Sequence, residues 1–292
     1  MSIQGPTSSQ LEDAQRIAIA QSRFTAEHNA PCLQLISQFR LGSGEKSLTV
    51  PKVGQMTALD LVDGVDLVGS EDINMTSTSL TAADIGLKVI LTDALVTQEV
   101  EDVFKIVGKQ MGDAVARKKD NDVISLFTGF SATQLGGTGV GFELGNVLDY
   151  IATAKNSKFP APVFIVTNPI VTMQLGASLW GYTQAAGGTG ATAIPKGLNA
   201  DLLQDYFEFK IGQVAIFQDG NVGADSSGDV VGCIFSREAM AHLESVALNT
   251  ERQRDASLRA TELITTSRFG VFELDDNYGN SIKNDGASAG SN

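Results

Sequence analysis

The residues that most often carry catalysis or metal binding are few in this chain and lie far apart. It has two histidines, His28 and His242, and two cysteines, Cys32 and Cys233. Neither histidine has a second histidine or a cysteine at the spacing of a zinc site, so the sequence predicts no metal centre. Glu27 and His28 could form a pair with Cys32, but such short coincidences more often reflect capping or packing. We interpret the two cysteines as small buried thiols.

Two glycine-rich segments invite comparison with phosphate-binding loops. Residues 133–146, "TQLGGTGVGFELGN", have no lysine after their glycines, and residues 185–197, "AAGGTGATAIPKG", have Lys196 but no following Ser or Thr. Both segments are therefore interpreted as flexible surface loops. The carboxylates are scattered, and no pair has a spacing that assigns acid and base roles. The sequence predicts no catalytic residue and no cofactor, and hence a protein that is not an enzyme.

Composition and charge exclude further classes. The chain carries 34 acidic and 21 basic residues, a net charge of −13, which argues against sequence-specific nucleic-acid binding. An acidic surface can nevertheless enclose DNA without adhering to it. No apolar run reaches the ~18 residues of a membrane span. The N-terminal "MSIQGPTSSQLEDAQR" lacks the pattern of a secretory signal.

The most regular stretch is residues 91–127, which we interpret as one helix of about 36 residues, three times the usual length. Gly108 and Gly112 each cost about 1 kcal/mol relative to alanine inside a helix, which predicts the close approach of another backbone. A coiled coil is the alternative, but the stripe covers few heptads. The apolar stripe at helical period consists of Val96, Val100, Val103, Val107, Met111 and Ala114, broadened by Phe104, Val115 and Val123.

A polar, extended segment precedes this helix. Residues 47–53 and 85–92 read as strands, and Asp63-Gly64 reads as a hairpin turn. Residues 69–84 between them contain only Ile73, Met75 and Leu80 as large apolar side chains. A two-stranded finger this polar is not stable alone, so it is either mobile or lies against another molecule.

The remaining chain reads as an N-terminal arm and a compact α+β region. Thr7 or Ser8 caps a helix over residues 8–28. Residues 279–292 read as a polar, disordered tail. The α+β region is predicted to contain helices at 144–157, 169–179, 199–207 and 237–245, a buried strand at 161–168, a strand pair at 207–218 and 229–236, and a strand within 256–274.

Taken together, this order resembles the major capsid (coat) proteins of tailed bacteriophages, whose fold is shared with encapsulins. The segments that carry the resemblance are "VPKVGQMTALDLVDGVDLV", "TSTSLTAADIGLKVILTDALV", "EVEDVFKIVGKQMGDAVARKKDNDVISLF", "PVFIVTNPIVTMQL", "VVGCIFSREAMAHLES" and "RATELITTSRFGVFELDDNYG".

The resemblance implies an α+β phage major-capsid fold with an N-terminal arm, an extended E-loop hairpin, a long spine helix in a peripheral (P) domain and a compact axial (A) domain. The expected division is 1–44 for the arm, 45–91 for the E-loop, 92–143 for the P-domain with its spine helix, 144–254 for the A-domain, 255–283 for returning P-domain strands and 284–292 for a flexible tail.

It also implies a function. The expected protein is a major capsid protein that self-assembles as hexamers and pentamers into an icosahedral shell around double-stranded DNA. It is expected in the virion, assembled in the host cytoplasm, with portal, scaffold or decoration proteins as further partners and no membrane. The alternatives are the shell subunit of an encapsulin-like compartment and a soluble enzyme with an unrecognised site.

Contacts between subunits are expected along the finger, along the long helix, and at two basic runs, Arg117–Lys119 and Arg252–Arg259. Each basic run has a second interpretation as a solvated face. Some family members crosslink an E-loop lysine to an asparagine; here Lys46 or Lys52 would pair with Asn277 or Asn280. The candidates for inter-subunit contact are Lys52, Asp63, Gly64, Ile73, Met75, Leu80, Gly108, Gly112, Arg117, Lys118, Lys119, Arg252, Arg254 and Arg259.

Overall fold

The structure, a computed structural model, describes residues 32–42, 44–53, 58, 60, 75–94, 103–176 and 209–286. Several predictions lie outside these residues. They are the helix at 8–28, the Asp63-Gly64 turn, Ile73, the glycine-rich segment at 185–197 and the helix at 199–207. Within the described part of the chain, no helix is both long enough and apolar enough to cross a bilayer.

A six-stranded mixed sheet forms one half of the described fold. Its strands are β5 (Leu135–Gly136), β6 (Val163–Thr167), β7 (Phe209–Ile211), β8 (Val214–Gln218), β9 (Asp229–Ser236) and β12 (Gly279–Asp285). The strand order is β5-β12-β9-β6-β8-β7, and β6 pairs parallel with β8 and antiparallel with β9.

Helices pack on this sheet and complete the largest core cluster. Helix α3 (Leu144–Asn156) buries Val147, Tyr150, Ile151 and Ala154, the one-sided spacing of an amphipathic helix. A second helix, α4, covers residues 169–176. These elements confirm the predicted helix at 144–157, the described part of the helix at 169–179, and the buried strand β6.

A four-stranded sheet forms the other half, in the order β1-β10-β11-β4. Strand β11 confirms the strand predicted within 256–274. Its burial alternates, because Leu263, Thr265, Ser267 and Phe269 are buried while the residues between them are more exposed. The strands are β1 (Ser37–Arg40), β4 (Ala83–Thr92), β10 (Met240–Asp255) and β11 (Ala260–Glu273). Two further strands, β2 (Ser47–Val53) and β3 (Met75–Thr81), form an antiparallel hairpin.

Helix α2 (Val103–Ser125) joins the two halves, and a short 3₁₀ turn at Leu126–Thr128 follows it. At 1.5 Å per residue it is about 34 Å long. Met111 packs with Leu91 and Leu263 of the four-stranded sheet, while Val123 and Phe127 enter the large core. The buried positions Met111, Val115 and Val123 belong to the predicted apolar stripe.

The predicted helix over 91–127 is wrong at both ends. Leu91 and Thr92 are the last residues of β4 and pair with Thr261 and Ala260 of β11. The apolar run before them is rich in β-branched residues and continues the strand ladder, which outweighs its fit to the helical period. At the other end the 3₁₀ turn replaces the last helical residues.

Three predictions in the C-terminal half are corrected. Residues 240–245 are strand rather than helix, because β10 is paired on both sides, with β1 and β11. Residues 207–218 are not one strand: β7 and β8 form a hairpin around Gly212 and Gln213, whose φ angles of 56° and 75° suit a two-residue turn. Strand β8 pairs with β6 and not with β9.

The predicted tail is the largest correction. Residues 279–285 form β12 in the interior of the six-stranded sheet, between β5 and β9. Ile282 is 1% exposed and Asn284 is 1% exposed, the latter donating hydrogen bonds to the Val140 carbonyl and the Tyr150 hydroxyl. A polar sequence can therefore occupy a buried strand when its side chains find partners.

The segment 133–146 is likewise docked rather than a flexible surface loop. Leu135–Gly136 pairs with β12, and Phe142 is fully buried. Gly136 has a φ of 76°, and a Cβ there would lie 2.2 Å from the Lys283 carbonyl oxygen. Its glycine allows close approach of β12 and not the binding of a phosphate.

Candidate functional site

The hairpin of β2 and β3 is attached to its own chain at both ends of its described part. Leu80 of β3 is fully buried and packs with Ala241 and Leu243 of β10. Near the other end, Lys52 Nζ lies 2.5 Å from Asp275 Oδ1. Leu80, predicted as an inter-subunit contact, therefore has no surface available to a second subunit. Its apolar side chain instead anchors the hairpin.

The Lys52 ammonium faces a cluster of carboxyl groups after β11. Partial burial, together with Asp276 and Asp275, raises the pKa of Glu273 to about 6, and Lys52 opposes this shift. Asp275 also accepts a hydrogen bond from the Asn277 backbone N–H at 3.0 Å. The positive charge of Lys52 thus reduces the repulsion among these carboxyl groups and holds the hairpin beside them.

The possible crosslinking residues occupy the same region. Asn277 donates its side-chain N–H to Asp275 at 3.0 Å, and Asn280 lies in β12 with 7% of its surface exposed. Lys46 is exposed just before β2. Crosslinking stays a prediction, since a second subunit is required to bring these residues together.

The three consecutive basic residues of α2 point in different directions, so they do not form one basic strip. Lys118 is exposed and pairs with Asp122 one turn later, at 2.5 Å. Lys119 is buried, 2.8 Å from Glu244, with its Nζ 5.3 Å from the centre of the Phe269 ring. Arg117 is half-buried. Lys119 is therefore engaged inside its own chain, which corrects its prediction as an inter-subunit contact.

The two helix glycines line open space on the described chain. A Cβ at Gly108 would meet no described atom within 4 Å, and one at Gly112 would meet only Leu248, at 3.9 Å. The close backbone approach predicted for them does not occur within the described residues. A second subunit remains the predicted neighbour at this part of α2.

Arg254 and Arg259, near the turn between β10 and β11, contact Asp93, the residue directly after β4. Arg254 makes two hydrogen bonds to Asp93, one of them 2.6 Å from Nη2 to Oδ2, and this partner lowers the pKa of Asp93. The Arg259 carbonyl accepts from the Asp93 N–H at 2.9 Å. Arg252 and Arg259 are exposed.

Exposed apolar side chains lie on the hairpin and the four-stranded sheet. Burial of such side chains against another molecule is favourable, because it removes apolar surface from water. These residues are Met75 (60% exposed), Ile90 (45%), Val246 (45%), Leu248 (46%) and Leu258 (55%).

The potentially reactive residues of the sequence have packing roles. His242 is 4% exposed beside the Phe269 ring, and burial lowers its pKa. Cys233 is fully buried in β9, as predicted, and its thiol donates to the Asn280 carbonyl at 3.3 Å. His28 lies outside the described residues.

Sequence reasoning missed one convergence of acidic groups. The Cys32 thiol donates a hydrogen bond to Asp219, 187 residues away, at 3.2 Å. Asp120 of α2 lies beside them, and all three are fully buried. No spacing in the sequence could have indicated this group, because three separate elements bring it together.

Comparison with solved structures identifies the fold. The head structure of Helicobacter pylori bacteriophage KHP40 matches with a TM-score of 0.65 at 10% identity, covering 87% of each chain. The capsid structure of the cyanophage P-SCSP1u matches with a TM-score of 0.61 at 16% identity, again covering 87% of each chain. The chain has the tailed-phage capsid fold. A structure from Microbacterium phage Oxtober96 matches this capsid fold with a TM-score of 0.65 at 16% identity, covering 87% of this chain and 90% of the other.

No protein-family model matches the chain, and neither does any curated protein sequence. The likeness therefore lies in the fold.

Proposed function

We propose that this protein is a major capsid protein, a shell subunit that assembles as hexamers and pentamers into an icosahedral particle around double-stranded DNA. The observation that carries the proposal is the match to phage head and capsid structures across 87% of both chains. The likeness extends over nearly the whole subunit, beyond a single shared sheet. Closed shells of this kind use the same modest interfaces many times through symmetry.

The division into domains belongs to the proposal, with one refinement. We assign α2, the four-stranded sheet and the hairpin base to the peripheral unit, because β10 and β11 pair along their length and Met111 packs on their sheet. Residues 240–254 then belong with this unit rather than with the axial one. The six-stranded sheet, α3 and α4 form the axial unit, into which β12 returns.

The far end of the hairpin is the proposed overlap with a neighbouring subunit. Its described strands end at Val53 and Met75, which are paired, and Met75 is largely exposed. Residues 54–74 continue from there, including Asp63, Gly64 and Ile73. Gly108, Gly112, Lys118, Arg252 and Arg259 are the other proposed contacts, since the three charged side chains are exposed and the two glycines face open space among the described residues.

The net charge of −13 supports a shell that encloses DNA without binding it tightly. Localisation in the virion, assembly in the host cytoplasm, and contacts with portal, scaffold or decoration proteins are parts of the same proposal. An encapsulin-like compartment would have a cargo-enzyme gene beside it, whereas terminase, portal and protease genes nearby support a virus.

The register of the hairpin permits a sharp test of the overlap. Because Val53 pairs with Met75, an Asn-Gly turn can replace residues 54–74 and close the hairpin without shifting either strand. We expect this shortened chain to keep the thermal stability of the full chain but to form no closed shells in negative-stain micrographs. Normal shells from the shortened chain would contradict the proposed overlap.

A further inference from the structure

The short helix α1 (Cys32–Leu35) is fixed to the rest of the fold by a buried group of three acidic side chains. Cys32 comes from α1, Asp120 from α2, and Asp219 directly follows β8. Each is 0% exposed, and their polar atoms lie within 4.8 Å of one another. Leu35 and Ile36 extend this attachment into the large core.

Asp219 accepts hydrogen bonds through both of its carboxyl oxygens. Its Oδ2 accepts from the Cys32 thiol at 3.2 Å, and its Oδ1 accepts from the backbone N–H of Asn221 at 2.8 Å. Asp120 is different. Its Oδ2 accepts from Asn221 Nδ2 at 3.0 Å, and the Cys32 backbone N–H also interacts with this carboxyl group. Among the described residues, its buried Oδ1 has no hydrogen-bond partner of normal geometry.

Two adjacent carboxyl groups in this setting cannot both be ionised at low cost. The groups facing Asp120 are Asp219, Asn221 and Cys32, and Cys233 faces Cys32 from β9; none of these is a cation. Burial, followed by the hydrogen bond and charge of Asp219, raises the pKa of Asp120 to about 7. A proton on Asp120, shared with Asp219, supplies the hydrogen bond that Oδ1 otherwise lacks.

We propose that the proton shared by Asp120 and Asp219 locks the segment Cys32–Ile36 onto helix α2, and that loss of this proton loosens the segment. The lock links the chain entering from residues 1–31 to the helix that joins both sheets. It therefore gives the subunit a pH-sensitive attachment at the point where α1, α2 and the end of β8 meet.

The direction in which pH changes the stability of the docked segment follows from the raised pKa of Asp120. Burial and Asp219 raise the pKa of Asp120 from 3.8 to about 7 while the segment is docked. Release of the segment admits water and removes burial, the largest cause of this shift, so the docked form binds the proton more tightly than the released form. The stabilisation is complete below the lower value and is lost as pH rises towards the upper one. Above pH 7 the segment keeps its apolar contacts through Leu35 and Ile36, and the Leu33 carbonyl still accepts from Gln38.

A divalent cation among the same groups would require Cys32 as a thiolate. Burial and the two neighbouring carboxyl groups raise the pKa of this thiol well above its ordinary value, and the thiol proton is donated to Asp219. The protonated arrangement accounts for these contacts without a metal. Binding of zinc to this group would accordingly overturn the proposal.

The experiment measures how fast a maleimide labels Cys32 in the full chain from pH 5 to pH 8, with peptide mass spectrometry to separate Cys32 from Cys233. Rates are divided by those of the urea-unfolded chain at the same pH. Because opening is coupled to one proton, the normalised rate should rise about tenfold per pH unit between pH 5 and 7 and level off above.

The decisive variant is Asp120→Asn, whose amide donates a hydrogen bond as a protonated carboxyl group does but cannot titrate. We expect its labelling to stay at the slow acid-side rate across the range, while the control Asp122→Asn, on the same helix and paired with Lys118, keeps the wild-type profile. If Asp120→Asn does not fold, Asp219→Asn serves as the second variant, because it removes the other carboxyl group of the same pair.

Two results would overturn the lock. One is a wild-type profile that does not change with pH, or that persists in the folded Asp120→Asn or Asp219→Asn variant. The other is labelling that added zinc slows and EDTA restores, which would assign the group to a cation. Failure of shell formation in the micrographs would leave this measurement unaffected, since labelling reports on the subunit alone.

Discussion

The side chain of Lys52 crosses from the hairpin to the body of the subunit and lies 2.5 Å from Asp275. The pair connects the far end of β2 to the residues directly after β11, some distance from the apolar anchor at Leu80. The hairpin therefore has a tight apolar attachment at its base and a weaker ionic one near its far end. This arrangement allows the far end to detach while the base stays packed.

Replacing Lys52 by methionine should release the far end of the hairpin selectively. The ion pair is partly exposed, so we expect the free energy of unfolding to fall by up to about 1 kcal/mol. Hydrogen exchange should accelerate near Val53 and Met75 but stay slow near Leu80. Lys46→Met, at an exposed position before β2, is the matched control and should change neither. Equal acceleration along both strands would contradict separate attachments.

The same variant should change the titration of Glu273. Lys52 lowers the pKa of this group, which burial and the neighbouring aspartates raise to about 6. Without the lysine its pKa should rise further. A carboxyl group whose pKa is raised by folding stabilises the folded chain at low pH, and this stabilisation is lost as pH rises through the folded-state pKa. The free energy of unfolding of the variant should therefore continue to fall at pH values where that of the wild type has levelled off. Urea unfolding at half-unit intervals from pH 5 to 8 measures this, and identical profiles would contradict it.

Gly136 and Gly139 form a natural pair for testing the docked glycine-rich segment. Both have positive φ angles, 76° and 72°, but a Cβ at Gly136 would collide with the Lys283 carbonyl, whereas Gly139 faces open space. We expect Gly139→Ala to cost about 1–2 kcal/mol from backbone conformation alone. Gly136→Ala should cost at least about 2 kcal/mol more, because β5 must separate from β12. Urea denaturation at pH 7 compares them, and equal losses would argue against the packing of β5 on β12.

The C-terminal strand can be tested at Ile282, which is 1% exposed in the large core. Ile282→Ala should lower the free energy of unfolding by about 2–5 kcal/mol, as expected for a truncated core side chain. Ile170→Ala is the control, since Ile170 is 50% exposed on α4, and its cost should stay below about 1 kcal/mol. A small loss at Ile282 would restore the interpretation of residues 279–285 as a tail.

The seating of α2 on the four-stranded sheet depends on Met111. This side chain is 1% exposed and contacts Leu91 and Leu263, so Met111→Ala should cost about 2–5 kcal/mol. Met173→Ala, at a position 49% exposed on α4, provides the matched control. Both are measured by chemical denaturation, and equal costs would show that the helix does not rest on the sheet through this residue.

Local patterns in the sequence predicted the helices and strands that bury one face and expose the other. The spacing of Val147, Tyr150, Ile151 and Ala154 predicts α3, and the alternation along β11 predicts a strand with one buried face. These signals are local because burial on one face repeats with the period of the element.

The errors arose where a partner distant in sequence decides the structure. Leu91 falls in both the strand predicted at 85–92 and the helix predicted at 91–127, and only its pairing with β11 settles the conformation. Residues 279–285 are too polar to predict a buried strand, but their backbone pairs with β9 and β5, and the Asn284 amide N–H donates to the Tyr150 hydroxyl. Contacts between distant residues likewise placed Leu80 and Lys119 inside the subunit and formed the cluster of Cys32, Asp120 and Asp219.

Self-assembly is tested most directly by electron microscopy of the purified full-length chain, combined with sedimentation velocity over a range of concentrations. We expect closed, regular shells with five- and six-fold clusters of subunits, in equilibrium with a small subunit species. A chain that sediments as a single monomer at the highest concentration, and shows no shells in micrographs, would contradict it.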